Sequence, residues 1–332
     1  MTRKALVIGI DEYPSPNELG GCVNDAVQIA SLLRKNGDGS PNFEVKLITA
    51  GDDDASTVAI DEAIRSLFSG QAETAVLYFA GHGLLDDEVN EGYLVSQNGQ
   101  PGGWGISLSG VLHLANKAHP KISSSVIMLD CCHAGFAGEL SGLGTNGQIS
   151  VIGNGLTILS ASHREQAAGE TDGHGTFTRI AIDGLEGAAS DVLGRITPAA
   201  LYAHVDQTLG GWDQRPIYKA NVHRFVSLRE TAPKVSKEIL RKLPDYFPTA
   251  SHVLELNPTF EPDRGEEAER LASILAIDEN VKVYRDLQKC HQHGIIQTLD
   301  YEYMWHTAIF SGRCRLTAVG AHYRRLAEKG MV

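Results

Sequence analysis

Through the first 230 residues, short apolar runs alternate with amphipathic helical stripes, and this alternation constrains the fold more than any other feature of the chain. The runs Ala5–Ile10, Phe43–Ile48, Thr74–Ala80, Ser125–Asp130 and Leu156–Ser160 are mostly apolar, as strands are when both faces of their sheet are covered. Between the first two runs, Asp25–Lys35 carries Val27, Ile29, Ala30, Leu32 and Leu33 at helical spacing. Between the next two, Thr57–Ser69 carries Val58, Ile60, Ile64, Leu67 and Phe68 behind a Ser56/Thr57 start signal. Strand–helix–strand alternation predicts an α/β fold with a mostly parallel sheet and right-handed crossovers. In such sheets the chemistry collects on loops beyond the carboxyl ends of the strands.

The alternation stops near Ala232-Pro233-Lys234, which predicts a boundary between residues 1–233 and 234–332. A chain of 332 residues suits one large domain and a smaller one. Charge divides at the same place. Met1–Pro233 holds 15 basic and 27 acidic residues, and the remainder holds 14 of each. An acidic main body disfavours nucleic acid as the principal ligand and suits basic partners. No stretch approaches the ~18 apolar residues of a membrane span, and Ala5–Ile10 is too short for a signal-peptide core. Five cysteines at irregular spacing make no disulfide framework. The expectation is a cytoplasmic protein with reduced thiols and no membrane partner. Asn98–Gly103 and the glycine-rich Gly138–Gly155 read as mobile surface loops.

Two strand ends carry reactive residues. The third run leads into Ala80-Gly81-His82-Gly83, and the fourth into Asp130-Cys131-Cys132-His133-Ala134-Gly135. A histidine and a cysteine at neighbouring strand exits can meet across the sheet rim. A thiol is a nucleophile only as thiolate, and an adjacent imidazole supplies that state. Gly81 and Gly83 suit a turn that exposes the ring, and Gly83 can offer a backbone N–H to an oxyanion.

These two segments resemble the signatures of the caspase-like cysteine proteases, and most closely those of the metacaspase and orthocaspase branch, whose second motif is Asp-Ser-Cys-His-Ser-Gly. The 50-residue spacing from His82 to Cys132 agrees with the resemblance. So do Asn24-Asp25, Ser160-Ala161-Ser162, His174-Gly175-Thr176-Phe177-Thr178 and Gln214-Arg215-Pro216, in the family's order across about Lys4 to Leu228. The resemblance implies a caspase-like three-layer sandwich and a peptidase that works through an acyl-enzyme. It implies Cys132 as nucleophile, His82 as general acid and base, and the N–H groups of Gly83 and Cys132 as the oxyanion hole. Cys131 stands where the motif has Ser and reads as a packed small side chain. The branch cleaves after Arg or Lys, and its acidic pocket maps onto Cys22, Asp25 and Asp130. Two carboxylates favour the fork of Arg, whereas Ala80, where the family often has Ser, leaves Arg against Lys open. The alternative reading of Asp25 is a helix N-cap or first-turn carboxylate ahead of Ala26–Lys35. The expected substrates are proteins with basic cleavage sites.

No cofactor or metal is expected. Asp52-Asp53-Asp54 and Asp86-Asp87-Glu88 with Glu91 match no twelve-residue calcium loop, and Cys290-His291-Gln292-His293 with Cys314 fits no zinc spacing. Beyond the boundary, Glu266–Ile277, Lys282–His293, Asp300–Ser311 and Ala318–Lys329 read as helices, with Gly312–Thr317 a short strand before the last. This order weakly resembles a winged-helix module from about Asn280 onward. Its final 20 residues hold five basic and one acidic side chain. The resemblance to bacterial caspase-like enzymes with appended modules implies a regulatory unit, with a small-molecule or protein activator and a setting in antiphage or stress defence. Tyr303, Trp305, Arg313 and Arg315, with His252 and His306, are candidates to line an anion-sensing pocket. Two rival readings remain: an inactive caspase-fold scaffold, and a DNA-binding regulator that works through the second unit. Gly138–Gly155 holds no Lys or Arg, so a single-chain enzyme is expected over one activated by self-cleavage.

Overall fold

Apolar runs that alternate between two cores set the architecture. A computed structural model describes residues 2–14, 18–86, 88–131, 139–140, 149–150, 152–161, 170–171, 174–210 and 215–332. The chain divides into two compact units, Met1–Ala232 and Pro233–Val332.

In the first unit the order is β1 (Arg3–Gly9), α1 (Cys22–Arg34), β2 (Glu44–Thr49), α2 (Thr57–Leu67), β3 (Ala72–Ala80), β4 (Gly83–Asp86), β5 (Glu91–Gln100), β6 (Gly103–Ser107), α3 (Leu108–Ala118) and β7 (Ile122–Asp130). There follow β8 (Glu139–Leu140), β9 (Ile149–Ser150), β10 (Leu156–Ser160), β11 (Glu170–Thr171), β12 (His174–Gly175), α4 (Thr176–Asp183), β13 (Arg195–Ile196), α5 (Pro198–Leu209), β14 (Ile217–Asn221) and β15 (Arg229–Glu230). The main sheet runs β14-β10-β7-β3-β1-β2. It is parallel except for β14, which pairs antiparallel with β10.

Successive strand residues face opposite cores. Leu6, Ile8, Leu77, Phe79, Ile127 and Leu129 pack with α2 and α3. Ala5, Val7, Val76, Tyr78, Val126 and Met128 pack with α1, α4 and α5. The result is a three-layer α/β sandwich. Ser56 caps α2 by accepting the Ala59 N–H, and Thr197 caps α5 ahead of Pro198, as start signals of this type do.

Asn98–Gly103 is not a loose loop. It forms the end of β5 and the turn into β6 in an antiparallel β4-β5-β6 sheet. The Asn98 side chain accepts the Thr57 N–H at 2.9 Å and the Ser96 hydroxyl at 3.0 Å, which pins the hairpin to the start of α2. Of Gly138–Gly155, residues 138, 141–148 and 151 lie outside the described residues; β8 and β9 pair antiparallel.

The second unit contains α6 (Lys237–Arg241), α7 (Leu243–Tyr246), β16 (Val253–Glu255), α8 (Asp278–Gln292), β17 (Ile296–Thr298), α9 (Met304–Ile309), β18 (Arg313–Leu316) and α10 (Ala318–Glu328). The three strands form an antiparallel sheet in the order β16-β18-β17. Two helices differ from expectation. Glu266–Ile277 is a short 3-10 turn at Gly265–Glu267 followed by further turns. Arg264 holds it in that shape by donating to the carbonyls of Pro258 and, at 3.0 Å, of Ile274. The helix expected over Asp300–Ser311 spans only Met304–Ile309, because Asp300 is drawn into a bidentate contact with Arg313. Among the described residues, no helix is long and apolar enough to cross a membrane.

Candidate active site

The β3 exit is built around His82. Gly81 must lack a side chain, since a Cβ there would lie 2.5 Å from the Tyr13 hydroxyl and 3.0 Å from Phe79 Cζ. Tyr13, on the segment after β1, fills that space. Its hydroxyl accepts the His82 backbone N–H at 3.0 Å and donates to the Val95 carbonyl at 3.2 Å. The Val95 N–H returns a bond to the His82 carbonyl at 3.0 Å. The Tyr13 ring lies 4.6 Å from the imidazole, tilted by 54°. Both backbone polar groups of His82 are therefore fixed, and one aromatic face supports its half-buried ring. Burial pushes the Tyr13 hydroxyl far above its ordinary value, so it keeps its proton. Gly83 opens β4 opposite Leu94. None of the motifs found in the sequence includes Tyr13, whose partners lie near residues 82 and 95.

Around the β7 exit, Asp25 and Asp130 approach one segment. Asp25, in the first turn of α1, is 1% exposed, and its Oδ2 accepts the Gly175 N–H at 2.9 Å. Asp130, the last residue of β7, is 6% exposed, and its Oδ2 accepts the N–H of Thr178 at 3.2 Å and its hydroxyl at 2.6 Å. The Asp130 carboxylate rests so closely on Gly175 that a Cβ there would lie 2.2 Å from Oδ2. The start of α4 thus presents N–H groups to a carboxylate, the favourable sense for a helix N-terminus. The Tyr78 hydroxyl sits 2.6 Å from that of Thr178. Complete burial raises its pKa first, and the negative charges of Asp130 and Asp25 raise it further. Cys22 begins α1 and is buried in the α1/α4 core. The Cys22 and Val23 N–H groups are accepted by Asp11 at 2.7 and 3.2 Å, a cap on α1 that sequence reading missed.

Cys131 is 2% exposed within the α2/α3 core. Cys132, with His133, Ala134 and Gly135 of the same motif, and Ser162 and Gln214 further along, lies outside the described residues. Beside His82 opens a cleft of about 610 Å³ walled by Tyr13, Pro14, Leu84, Val95, Pro101 and Trp104.

The acidic clusters serve local turns. Asp53 accepts from Thr49, Asp54 from Ser56, Asp86 from Glu88 and Val89, and Glu91 from Ser109. In the second unit, burial pushes the thiols of Cys290 and Cys314 up to about 12. Among the described residues no group of three or more His, Cys, Asp or Glu side chains is placed to hold a metal ion.

Of the candidate sensing residues, Trp305 donates to the Asp263 carbonyl at 3.0 Å and meets His306 edge-on, and Tyr303 is exposed beside His306. Arg313 grips Asp300 with bonds of 2.8 and 3.0 Å, Arg315 is exposed on β18, and His252 lies against Phe247 instead. The basic tail is also partly committed, since Arg324 is buried on the carbonyls of Phe247 and Pro248.

A doubly covered parallel sheet with a glycine-flanked histidine at one strand exit is a fold shared by a group of cysteine hydrolases. The sequence agrees: residues 2–227 match the family model of the caspase domain, and the chain belongs to that family, whose members are cysteine peptidases. Among solved structures it is similar to caspase-1 from Spodoptera frugiperda, at 12% identity and a TM-score of 0.50, covering 69% of this chain and 90% of that one. It is also similar to a protein from Geobacter sulfurreducens, at 13% identity and a TM-score of 0.50, covering 70% of this chain and 98% of that one. At these identities the likeness is one of fold. No curated protein gives a significant match.

Proposed function

We propose that the chain is a cysteine endopeptidase that cleaves proteins after Arg or Lys, with Cys132 as nucleophile and His82 as general acid and base. The Cys132 thiolate adds to the scissile carbonyl carbon. The resulting oxyanion is met by the N–H groups of Gly83 and Cys132, donors worth roughly 3 kcal/mol each where removal has been measured. The C–N bond then breaks, the leaving amine takes its proton from the His82 imidazolium, and the acyl group stays on sulfur as a thioester. A water that gives up a proton to His82 attacks this thioester, releasing the acid and restoring the thiolate.

The observation that carries the basic preference is the approach of Asp25 and Asp130 to Gly175–Thr178, with Asp130 two residues before Cys132. Two carboxylates on one segment suit a guanidinium, which is bound bidentately where an ammonium is bound as a point charge. Residues 234–332 hold the activity conditional, with Tyr303, Trp305 and Arg315 as the surface for a small-molecule or protein activator. The setting that fits such an enzyme is bacterial antiphage or stress defence.

The test is hydrolysis of fluorogenic peptides ending in Arg, Lys or Asp by wild type and Cys132→Ala, with and without cell extract. Arg cleavage that disappears in the variant is expected. Absence of turnover together with a Cys132 thiol inert to an Arg-directed acyloxymethyl ketone overturns the reading in favour of a scaffold.

A further inference from the structure

The cleft beside His82 lies on the other side of the sheet from the acidic pair. Its walls Tyr13 and Val95 belong to the α2/α3 core, and Leu84 packs against that core. Asp25 and Asp130 instead bond to the start of α4, whose Phe177 and Ile180 belong to the other core. His82 itself lines the cleft. The other described lining residues include no Asp, Glu, Lys or Arg, and Trp104, Leu84 and Pro101 make its wall on the β4-β5-β6 hairpin. A volume of about 610 Å³ is in the range of roughly 300–1,000 Å³ that encloses a ligand, and such sites are mostly apolar with few polar groups.

We propose that this cleft is the leaving-side subsite and takes a bulky apolar, preferably aromatic, residue that follows the scissile bond. The proposal rests on the peptidase reading above. When the C–N bond breaks, the departing amine nitrogen takes its proton from the His82 imidazolium and must lie within hydrogen-bond reach of that ring. The side chain carried by that nitrogen therefore enters the cleft that His82 lines, whose walls include Tyr13, Leu84 and Trp104. A charged side chain there would lose its hydration without a charged partner among these walls, whereas an aromatic ring buries a large area and stacks on Trp104. The enzyme would read a cation before the bond and an apolar ring after it. The hairpin is then a specificity element as well as a sheet.

The experiment uses the full chain and two internally quenched peptides identical except for Arg-Phe or Arg-Gly at the cleavage point. The same pair is also titrated against Cys132→Ala by anisotropy. The Phe peptide is expected to be favoured in kcat/KM and in affinity by roughly tenfold, the size of apolar discrimination in a pocket of this kind. In Trp104→Ala the ratio is expected to fall to about twofold, and Leu84→Thr to lower it less. Each ratio is taken on one preparation, so loss of folded protein lowers both rates and leaves the ratio unchanged. Equal use of the two peptides, or a Phe preference that survives Trp104→Ala, removes the subsite, and labelling of Cys132 by the Arg-directed ketone then shows that the peptidase reading stands. Without labelling, cleavage or binding, both fall together.

Discussion

The central sheet has a hollow at each end, and the two differ in what their polar groups are committed to. At the amino end, between the starts of β1 and β2 and the close of α2, a hollow of about 440 Å³ is lined by Lys4, Glu44, Lys46, Ser66 and Ser69 among others. One of its two lysines is tied down, since the Lys4 ammonium donates to the carbonyls of Ser69 at 2.5 Å and Ser66 at 3.4 Å. There a charge satisfies the end of a helix. At the carboxyl end the side chains are arranged differently. The bonds to Tyr13 and Val95 are made by the backbone of His82, whose side chain lines a cleft, and two buried carboxylates sit on the start of α4. Charge alone does not mark a site, because the amino end is the more charged hollow. At His82 the backbone bonds hold the geometry, whereas at Asp25 and Asp130 the carboxylates themselves hold it, by accepting from Gly175 and Thr178.

The largest test of this contrast is at the two residues proposed to react, His82 and Cys132. His82→Ala is expected to lower kcat/KM for an Arg peptide by roughly 10²–10⁴-fold, the contribution of general acid–base catalysis, with Cys132→Ala at least as severe. Unchanged turnover in His82→Ala would place the chemistry elsewhere. Next come the carboxylates. Asp130→Asn is expected to cost about 10²-fold for Arg peptides, the loss of one charge-assisted contact, with a smaller loss for Asp25→Asn. The decisive readout is Arg against its neutral isostere citrulline. A pocket that reads charge loses its Arg preference in Asp130→Asn, whereas a carboxylate that only braces α4 lowers both substrates equally.

The inner parallel strands were legible because burial on both faces makes them near-continuous apolar runs, unlike the edge strand β2 with its exposed Glu44 and Lys46, and β3 and β7 end on the first residue of the motifs they present. The β4-β5-β6 hairpin was not, since Asn98–Gly103 has the composition of a loop. Gly99 is there for close approach, since a Cβ on it would lie 2.3 Å from the Trp104 carbonyl, and Gly102 takes the positive φ of the turn. Glu266–Ile277 has helical periodicity, but the bonds from Arg264 and the 3.0 Å bond from the Ile277 N–H to the Thr259 carbonyl override it, as tertiary context commonly does. Asp25 could be read as a first-turn carboxylate, but its bond to Gly175 spans 150 residues and leaves no local pattern. Tyr13 is the clearest case, because a single aromatic residue in a polar segment becomes informative only once residues 82 and 95 are brought to it.

Tyr13 gives the next smaller effect. Tyr13→Phe keeps the ring against His82 and removes the hydroxyl, leaving the His82 N–H and the Val95 carbonyl without the partner they share. Stability is expected to fall by about 1–3 kcal/mol, the cost of stranding buried polar groups. If Tyr13 positions the imidazole, kcat should fall about tenfold while KM holds, as when an interaction made only in the transition state is lost. A fall in stability with kcat intact would reduce Tyr13 to a packing residue. The smallest effect is expected at the opposite hollow. Lys4→Met removes two bonds from a partly exposed ammonium and is expected to change stability by less than about 1 kcal/mol, with kinetics unchanged. Burial lowers the Lys4 pKa below its ordinary 10.5, against the opposing pull of Glu44. The unfolded chain therefore holds the Lys4 proton more tightly, and stability contributed at this position rises with pH as the folded group and then the unfolded one titrate. Thermal midpoints of wild type relative to Lys4→Met should accordingly drift upward as pH approaches 10.5. A Lys4→Met variant that slowed Arg-peptide cleavage would break the separation between the two ends of the sheet.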